Sequence, residues 1–261
     1  MKTKFLFGIL VLFLGTINFV GCNDDDNLKP IELRDREGTS ISIFYPPASG
    51  YSFSLQGGDG NYKIISENPE VVTAEMISSV DFRLEAKSIG EAKVTITDNS
   101  QNILTLNVSI IYETINIVIE AHDVFIDGGD LTGNEKKAIQ EKQLVEIPVK
   151  VGGGYKFIYT DYEDEDRGGK AIVYPEKFGS NGIETTFKKK RITIDETTNS
   201  FTIGFEIDIN NEKRLLVLSR YYPSTKSEAL VPIALFEDVT SKVQVEYPKA
   251  ESVFTAQVIE K

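Results

Sequence analysis

Hydrophobic and polar positions alternate with a period of two along much of the chain. The clearest case is Phe201–Ile209, where five apolar side chains are separated by small or polar ones. This period is typical of a β-strand with one buried and one solvated face. The residues Asn210–Lys213 then supply turn chemistry before the apolar run Leu215–Leu218, so this segment is predicted to form a β-hairpin.

Shorter segments share this period, at Phe82–Ala86, Ala92–Ile96, Leu104–Tyr112 and Val243–Tyr247. A helix is indicated at one place, where Thr132 and Glu135 have capping-box spacing and Lys136–Lys142 is long enough for two turns. A polar loop is the alternative there. Short strands separated by turns rich in Gly, Asn and Asp predict an all-β protein built from β-sandwich domains.

Residues 38–112 resemble the bacterial Ig-like module (group 2-like) of surface proteins and adhesins. The resemblance is carried by the turn Gly57–Tyr62, by the strand start Ser66–Ala74, and by Ser88–Asp98, in which Gly90 precedes an alternating strand. The segment lacks the cysteine and tryptophan residues of antibody domains, as expected for the bacterial type. The resemblance implies an N-terminal Ig-like β-sandwich. Residues 113–261 resemble no family that we recognise, and their alternation predicts a second β-sandwich-like domain.

The first 21 residues have the layout of a secretory signal peptide. Lys2 and Lys4 precede an apolar run over Phe5–Val20. At about 1.5 Å per residue that run would span about 24 Å, which is less than a bilayer core of about 30 Å. A buried helix is the alternative, but the charges stand only before the run. Cleavage after Gly21 is therefore expected.

The apolar run ends in Phe19-Val20-Gly21-Cys22, which resembles the lipobox of bacterial lipoproteins. Phe19 departs from the leucine that is usual at its position. The resemblance implies that Cys22 carries the lipid and that the signal is cut after Gly21. Two or more acyl chains anchor a protein stably, because each buried CH₂ contributes about 0.8 kcal/mol.

Asp24, Asp25 and Asp26 follow the lipid-bearing position. They resemble the acidic signal that sends Bacteroidetes-type lipoproteins to the outer leaflet of the outer membrane. A solvated tether and a calcium site are the alternatives, and residues 22–37 as a whole are predicted to form an acidic flexible tether. The expected location is the outer membrane, lipid-anchored and exposed at the cell surface, with a periplasm-facing anchor as the alternative.

The composition disfavours several classes of function. The 261-residue chain has a net charge of -12, which disfavours binding to nucleic acid. Its one cysteine is assigned to the lipid, and its one histidine, His122, shares a predicted strand face with Glu120 and is interpreted as solvent-facing. Residues for a thiol or serine triad or a zinc site are therefore lacking. We expect no catalytic residue, no metal and no cofactor.

Several charged segments keep two interpretations each. The acidic loops Asp127–Asp130 and Asp161–Asp166 are either solvated or calcium-binding, although neither has EF-hand spacing. The basic run Lys188–Arg191 is either a solvated strand edge or a contact for an anionic glycan. A carboxylate pair is also the basis of glycoside hydrolysis, but the chain has no tryptophan to line a sugar cleft.

Four of the nine prolines follow a tyrosine. Because proline ends strand pairing, these tyrosines are expected at strand ends, near loops. Tyr221 and Tyr222 enter one turn together, and with Tyr174 they are the candidate aromatic platform for a sugar ligand. Packing at the rim of a sandwich is the alternative.

These patterns favour a non-catalytic outer-membrane or cell-surface lipoprotein, in which the Ig-like domain is a spacer and residues 113–261 form a binding or adhesion module. The expected contacts are the membrane, through the N-terminal lipid, and a surface protein. A glycan-binding accessory protein of polysaccharide capture is an alternative within the same class. A small carboxylate-pair glycan hydrolase is the alternative from a different class.

Overall fold

The computed structural model describes residues 29–45, 50–162, 167–195, 200–221 and 230–260. Within these ranges the chain forms sixteen β-strands and two α-helices, so the all-β prediction is confirmed. The strands separate into two modules, 32–112 and 114–259, and a single residue, Glu113, joins the last strand of the first module to the first strand of the second.

The first module consists of two four-stranded sheets. One has the strand order β1-β3-β6-β5 and the other β2-β8-β7-β4. Neighbouring strands are antiparallel except β2 and β8, which pair in parallel from Ser40 to Tyr45. The strands are β1 Glu32–Leu33, β2 Ser40–Tyr45, β3 Tyr51–Gln56, β4 Lys63–Ser66, β5 Val72–Met76, β6 Asp81–Ala86, β7 Gly90–Thr97 and β8 Ile103–Tyr112.

The two sheets of the first module share one hydrophobic core. Leu84 of β6 and Val94 of β7 come from different sheets and are both buried in it, as their alternation predicts. Ile31 and Leu33 are buried in the same core, and Leu33 pairs with Leu55. The tether predicted over 22–37 therefore ends before Ile31, because burial of these apolar side chains is favourable.

Two aspartates connect the turn after β3 to the turn between β7 and β8. Asp98 accepts hydrogen bonds from the Asp59 N–H at 2.9 Å and the Asn102 side-chain amide at 2.8 Å. Asp59 accepts from the N–H groups of Asn61 and Ser100 at 2.9 and 2.8 Å. The bond from Asn61 lowers the pKa of Asp59. At Asp98 burial acts in the opposite direction, but the hydrogen bonds outweigh it and lower the pKa.

The two modules contact each other at Glu113. Its backbone carbonyl accepts a hydrogen bond from the Tyr159 N–H at 3.0 Å, and its carboxylate lies 3.8 Å from the Arg167 guanidinium. The ring of Tyr45 from the first module meets the ring of Tyr162 edge-on, with centroids 6.5 Å apart. These contacts bring polar and aromatic groups together where the chain passes from one module to the other.

The second module is a closed eight-stranded antiparallel barrel with the strand order β10-β11-β12-β13-β14-β15-β16-β9. Helix α1 (Gly133–Glu146) follows β9, and helix α2 (Thr240–Gln244) follows β15. The strands are β9 Thr114–Asp127, β10 Gly154–Asp161, β11 Gly168–Tyr174, β12 Ile183–Asp195, β13 Ser200–Ile209, β14 Glu212–Tyr221, β15 Leu230–Asp238 and β16 Ser252–Ile259.

This barrel corrects the prediction of a second β-sandwich. The long strand β9 closes the sheet, because Thr114–Val118 pairs with β10 whereas Ile119–Asp127 pairs with β16. An alternation of period two places one face of each strand inward in a sandwich and in a barrel alike. The pattern of residues therefore predicted the strands but did not distinguish one closed sheet from two facing sheets.

Aromatic rings fill the centre of the barrel. The ring of Phe157 stacks on that of Phe205, with centroids 4.3 Å apart, and contacts the rings of Phe187 at 4.9 Å and Tyr155 at 5.9 Å. All four side chains are buried. An eight-stranded barrel is just wide enough for its interior to be filled by side chains in this way.

The predicted hairpin over Phe201–Leu218 is confirmed. Strands β13 and β14 are paired in register, with Ile209 opposite Glu212. The two intervening residues, Asn210 and Asn211, have φ values of 56° and 65°. Two consecutive residues with positive φ are typical of the type I′ turn, for which asparagine is well suited.

Helix α1 confirms the capping box and is longer than the two turns expected. Thr132 Oγ1 accepts from the Glu135 N–H at 3.3 Å, and the Glu135 carboxylate accepts from the Thr132 N–H at 2.7 Å. These reciprocal bonds satisfy two of the backbone donors that a helix N-terminus leaves free. Ile139 and Gln143 are the buried residues of the helix.

Replacing Thr132 with alanine is expected to lower the free energy of unfolding by about 1 kcal/mol, because α1 loses its capping hydroxyl. The measurement is a urea titration followed by circular dichroism. Thr132→Ser keeps the hydroxyl and is the matched control, expected within about 0.5 kcal/mol of the unmodified chain. Equal stabilities of the two variants would contradict this role of the cap.

The prediction of a strand over Val243–Tyr247 is wrong. Helix α2 ends within this segment: the Val243 N–H donates to the Val239 carbonyl at 3.0 Å, and the Tyr247 N–H donates to the Val243 carbonyl at 2.9 Å. Val243 is buried while Val245 is exposed. The apolar residues 239, 243 and 247 are four apart, so they fit one face of a helix as well as one face of a strand.

Candidate functional site

The directions of the strands place both helices at one end of the barrel. Strands β9, β11, β13 and β15 all run the same way, so α1, α2 and the Asn210–Asn211 turn lie at the end where those strands finish. Ile139 of α1 and Val243 of α2 pack with Val124 and Val253 of the barrel in one apolar cluster. We call this end, covered by α1 and α2, the capped end.

Strands β14 and β15 separate as they approach the capped end. Their last pair on that side is Val217 with Phe236. Beyond it each strand continues only with its other neighbour, β13 or β16. The barrel wall therefore opens between β14 and β15, and Arg214 and Glu237 lie at this opening.

Five charged side chains form an alternating chain of ion pairs at the capped end. Arg214 lies 3.0 Å from Glu237 and 2.6 Å from Glu212. Lys242 lies 3.6 Å from Glu212 and 2.9 Å from Glu146. The charge network thus runs Glu237–Arg214–Glu212–Lys242–Glu146 and connects β15, β14, α2 and α1. It contains three carboxylates and two cations, and a carboxylate stands at each end.

The surroundings shift the pKa values of the groups in this network in different directions. Burial raises the pKa of Glu237, although the Arg214 guanidinium acts against the shift. The hydrogen bond from Arg214 lowers the pKa of Glu212, and the ion pair with Glu146 at 2.9 Å raises the pKa of Lys242. One guanidinium therefore serves two carboxylates, and Glu237, whose side chain is only 13 % exposed, is the less completely compensated of the two.

A cavity of about 200 Å³ lies between the helices and the end of the barrel; we call it the mouth cavity. Gln143 of α1 and Thr255 of β16 line it and are each only 3 % or less exposed, yet neither side chain has a hydrogen-bond partner among the described residues. Arg214 Nε is also buried without a partner there. The cavity is lined by Gln143, Glu146, Ile147, Glu212, Lys213, Arg214, Glu237, Asp238, Val239, Ser241, Lys242 and Thr255.

A second polar pair lies deeper in the barrel. The buried Tyr155 hydroxyl donates to Gln257 Oε1 at 2.9 Å, and burial raises the pKa of Tyr155 well above its ordinary value, so the phenol stays protonated. Gln257 Nε2 has no hydrogen-bond partner within the described ranges. Because Thr255 and Gln257 share one face of β16, polar groups continue from the mouth cavity towards the aromatic centre.

The structure corrects the placement of His122. It lies opposite Gln257 in the β9–β16 ladder, and its Nε2 is buried. The pairing shifts by one residue between Ile119 and Ala121, so Glu120 forms a bulge and stays exposed. A bulge reverses which face later residues occupy, and His122 therefore does not share a solvent-facing surface with Glu120.

His122 is expected to titrate below its ordinary pKa of 6.5, because burial disfavours the imidazolium more than the hydrogen bond with the Val149 backbone favours it. NMR can follow this one histidine directly, with the urea-unfolded chain as the control. Because the folded pKa lies below the unfolded one, the stability contribution is present above pH 6.5 and is lost as the pH falls through the folded pKa. A folded pKa at or above the unfolded one would contradict this expectation.

The structure does not bring the predicted aromatic platform together. Tyr174 ends β11 at the capped end, where it is buried and its ring packs on Phe178 with centroids 4.8 Å apart. Tyr221 ends β14, which runs in the opposite direction, so it lies at the other end of the barrel. Tyr222 lies outside the described residues. Tyr174 thus packs at the rim, which was the alternative interpretation.

The residues of the N-terminal predictions, Gly21, Cys22 and Asp24–Asp26, also lie outside the described ranges, so lipidation, cleavage and export stay predictions. In the part of the chain that is described, no helix has both the length and the apolar character to cross a bilayer. Among the same residues, no group of three or more His, Cys, Asp or Glu side chains is arranged to hold a metal ion.

The other charged segments make local contacts. Asp127 accepts from the Gly128 N–H at 3.0 Å. In the basic run, the Arg191 guanidinium lies 3.9 Å from the ring centre of Phe201, and Lys189 lies 5.8 Å from that of Tyr159. Most of the loop Asp161–Asp166 lies outside the described residues.

Arg214 and Glu237 are site residues that the sequence interpretation missed. Glu237 is two positions after the buried Leu235, and Arg214 is two before the buried Leu216. The sequence did contain a signal for them: each is a charged residue at a position where the alternation of its strand predicts a buried side chain. At Arg214 the signal is lost, because the continuous apolar run Leu215–Leu218 does not show which of its residues face inward.

The sequence matches no known family profile and no curated protein. The fold, the cavity and its charges are therefore the observations on which a function can rest.

Proposed function

We propose that this chain is a non-catalytic binding protein, held to the outer membrane by lipid on Cys22, whose barrel binds a small polar ligand in the mouth cavity. The observation that carries the proposal is the pair Gln143 and Thr255, which are buried, polar and without hydrogen-bond partners among the described residues, at the wall of one cavity and beside the buried, unpartnered Arg214 Nε. Buried polar groups are nearly always hydrogen-bonded. A polar ligand in the mouth cavity would supply the missing bonds, and the mouths of β-barrels are common ligand sites.

The first module acts in this proposal as a spacer. Its two facing four-stranded sheets with one core support the Ig-like interpretation. Because the lipid precedes this module in the chain and the barrel follows it, the ligand site belongs to the part of the protein that is farther from the anchor along the sequence.

Calorimetric titration of the mature chain with sugars, amines and organic acids tests the binding proposal. Thr255→Val keeps the side-chain shape but removes the hydroxyl, and should weaken binding of the active compound by about tenfold. Thr186→Val changes an exposed threonine on the barrel and should leave the affinity unchanged. Equal affinities of both variants, or no binding by any compound, would refute the proposal.

Cell fractionation tests the anchor. Cys22→Ala should abolish acylation in mass spectrometry and release the protein to the soluble fraction. Replacing Asp24, Asp25 and Asp26 together by alanine should keep the lipid but remove the protein from the cell surface, as measured by protease accessibility on intact cells. A Cys22→Ala protein that stays membrane-bound would show that the anchor lies elsewhere.

A carboxylate-pair glycan hydrolase is the second candidate. It is favoured by the raised pKa of Glu237, since a general acid in such enzymes must stay protonated near neutral pH. The ion pair of Glu237 with Arg214 weighs against it. Release of reducing sugar from a broad glycan panel, abolished in Glu237→Gln, would favour hydrolysis over binding.

A further inference from the structure

The charge network is incomplete at the mouth cavity. Its charges alternate in sign from Glu237 to Glu146, and both of these terminal carboxylates line the same cavity. Arg214 and Lys242 are each shared between two carboxylates, so neither terminal carboxylate has a cation of its own. A positive charge placed between Glu237 and Glu146 would close the chain into an alternating ring.

We propose that the ligand of the mouth cavity carries a primary ammonium group, which sits between Glu237 and Glu146. This inference rests on the proposed binding function and names the ligand class. An ammonium has three N–H donors and no acceptor. The cavity offers it the two carboxylates, the Gln143 side-chain carbonyl and the Thr255 hydroxyl oxygen. The net charge of -12 also draws cations towards the protein.

The size of the mouth cavity limits the ligand. Its volume of about 200 Å³ is smaller than the roughly 300–1,000 Å³ of sites for drug-sized molecules. A compact amine of a few carbon atoms fits this space. A dehydrated divalent metal ion is a poorer match, since Ca²⁺ takes about six to eight oxygen ligands. The described residues also contain no group of three or more His, Cys, Asp or Glu side chains arranged to hold a metal ion.

The mouth cavity borders a groove at the opening between β14 and β15. A groove of about 550 Å³ on the outside of the barrel shares Arg214, Glu237 and Ser241 with the cavity lining. The groove also includes Phe236 and Phe254. An amine with a short apolar tail could therefore place its ammonium inside the barrel wall and its tail in the groove.

Calorimetry with defined probes tests the charge of the ligand. The mature chain is titrated with 1,4-diaminobutane, ethanolamine, glucose and sodium acetate. Binding of an amine is expected, weakened about tenfold in Glu237→Gln and in Glu146→Gln. Glu176→Gln is the matched control, because Glu176 pairs with Lys150 in an exposed ion pair outside the cavity lining. Its affinity should be unchanged. Glu146 is the more exposed of the two carboxylates, so Glu146→Gln gives a readout if Glu237→Gln does not fold.

The outcomes separate this inference from the proposed function. Binding of glucose or acetate without binding of either amine, weakened by Thr255→Val, would overturn the ammonium assignment and keep the binding function. Amine affinity that is equal in Glu146→Gln and Glu176→Gln would also overturn it. No binding by any probe or compound of the wider panel would overturn both. Amine binding that strengthens as the pH rises, with proton release on binding, would support the contact with Glu237.

Discussion

Phe157→Ala is expected to lower the free energy of unfolding of the barrel by about 3–5 kcal/mol. The Phe157 side chain is fully buried, and its ring lies between those of Phe205, Phe187 and Tyr155. Alanine would remove these contacts and leave a cavity that the strands of a closed barrel can fill only in part. A denaturant titration followed by near-ultraviolet circular dichroism of the tyrosines measures the loss.

Phe201→Ala is the matched control for this experiment. Phe201 lies on β13 near the uncapped end and is 53 % exposed. Its replacement should cost less than about 1 kcal/mol, because few contacts are buried there. If both variants lost the same free energy of unfolding, the stacked aromatic rings would not make the main contribution to the stability of the barrel.

Arg214→Met is expected to lower the free energy of unfolding by about 3 kcal/mol at pH 8, because it leaves Glu237 buried without a counter-charge. The two side chains are 10 % and 13 % exposed, and the ion pair between them spans 3.0 Å. In the variant the pKa of Glu237 rises further. Since a raised folded pKa gives stability that is lost as the pH increases through it, the deficit should shrink when the same titration is run near pH 5.

The double variant Arg214→Met/Glu237→Gln separates the lost ion pair from the unpaired charge. It should recover more than half of the stability lost in Arg214→Met, since a neutral amide costs less to bury than a carboxylate. The cycle is completed by Glu237→Gln alone. A double variant that is as unstable as Arg214→Met would show that Arg214 acts by packing and not by compensating Glu237.

The parts of this fold that follow from the sequence are those that depend on neighbouring residues. Asn210 and Asn211 permit the positive φ angles of a tight turn, so the hairpin that they join was predictable. Thr132 and Glu135 cap a helix by bonds between residues three apart. The alternation of Phe82 with Leu84 placed both inside the first module, whatever strand lay opposite.

The parts of the fold that could not be predicted from the sequence depend on contacts between residues far apart in the chain. Closure of the barrel rests on the pairing of β9 with both β10 and β16, which lie far apart in sequence. The inward position of His122 rests on the bulge at Glu120. The mouth cavity joins Gln143, Arg214 and Thr255 from three separate elements, and no local pattern relates them. The tyrosine–proline pairs marked strand ends but not which end of the barrel each one occupies.

The parallel pairing of β2 with β8 determines how the protein would bear mechanical load. Once the two-residue strand β1 has detached, tension between the N-terminal end and the barrel pulls β2 back towards Ser40 and β8 forward towards Tyr112, because Glu113 leads directly into β9. The two strands would then be sheared past each other, with six register pairs from Ser40–Asn107 to Tyr45–Tyr112 sharing the force. Such pairs must break together and not in sequence from one end. The first module is therefore expected to resist a pull that acts along the chain between its two ends.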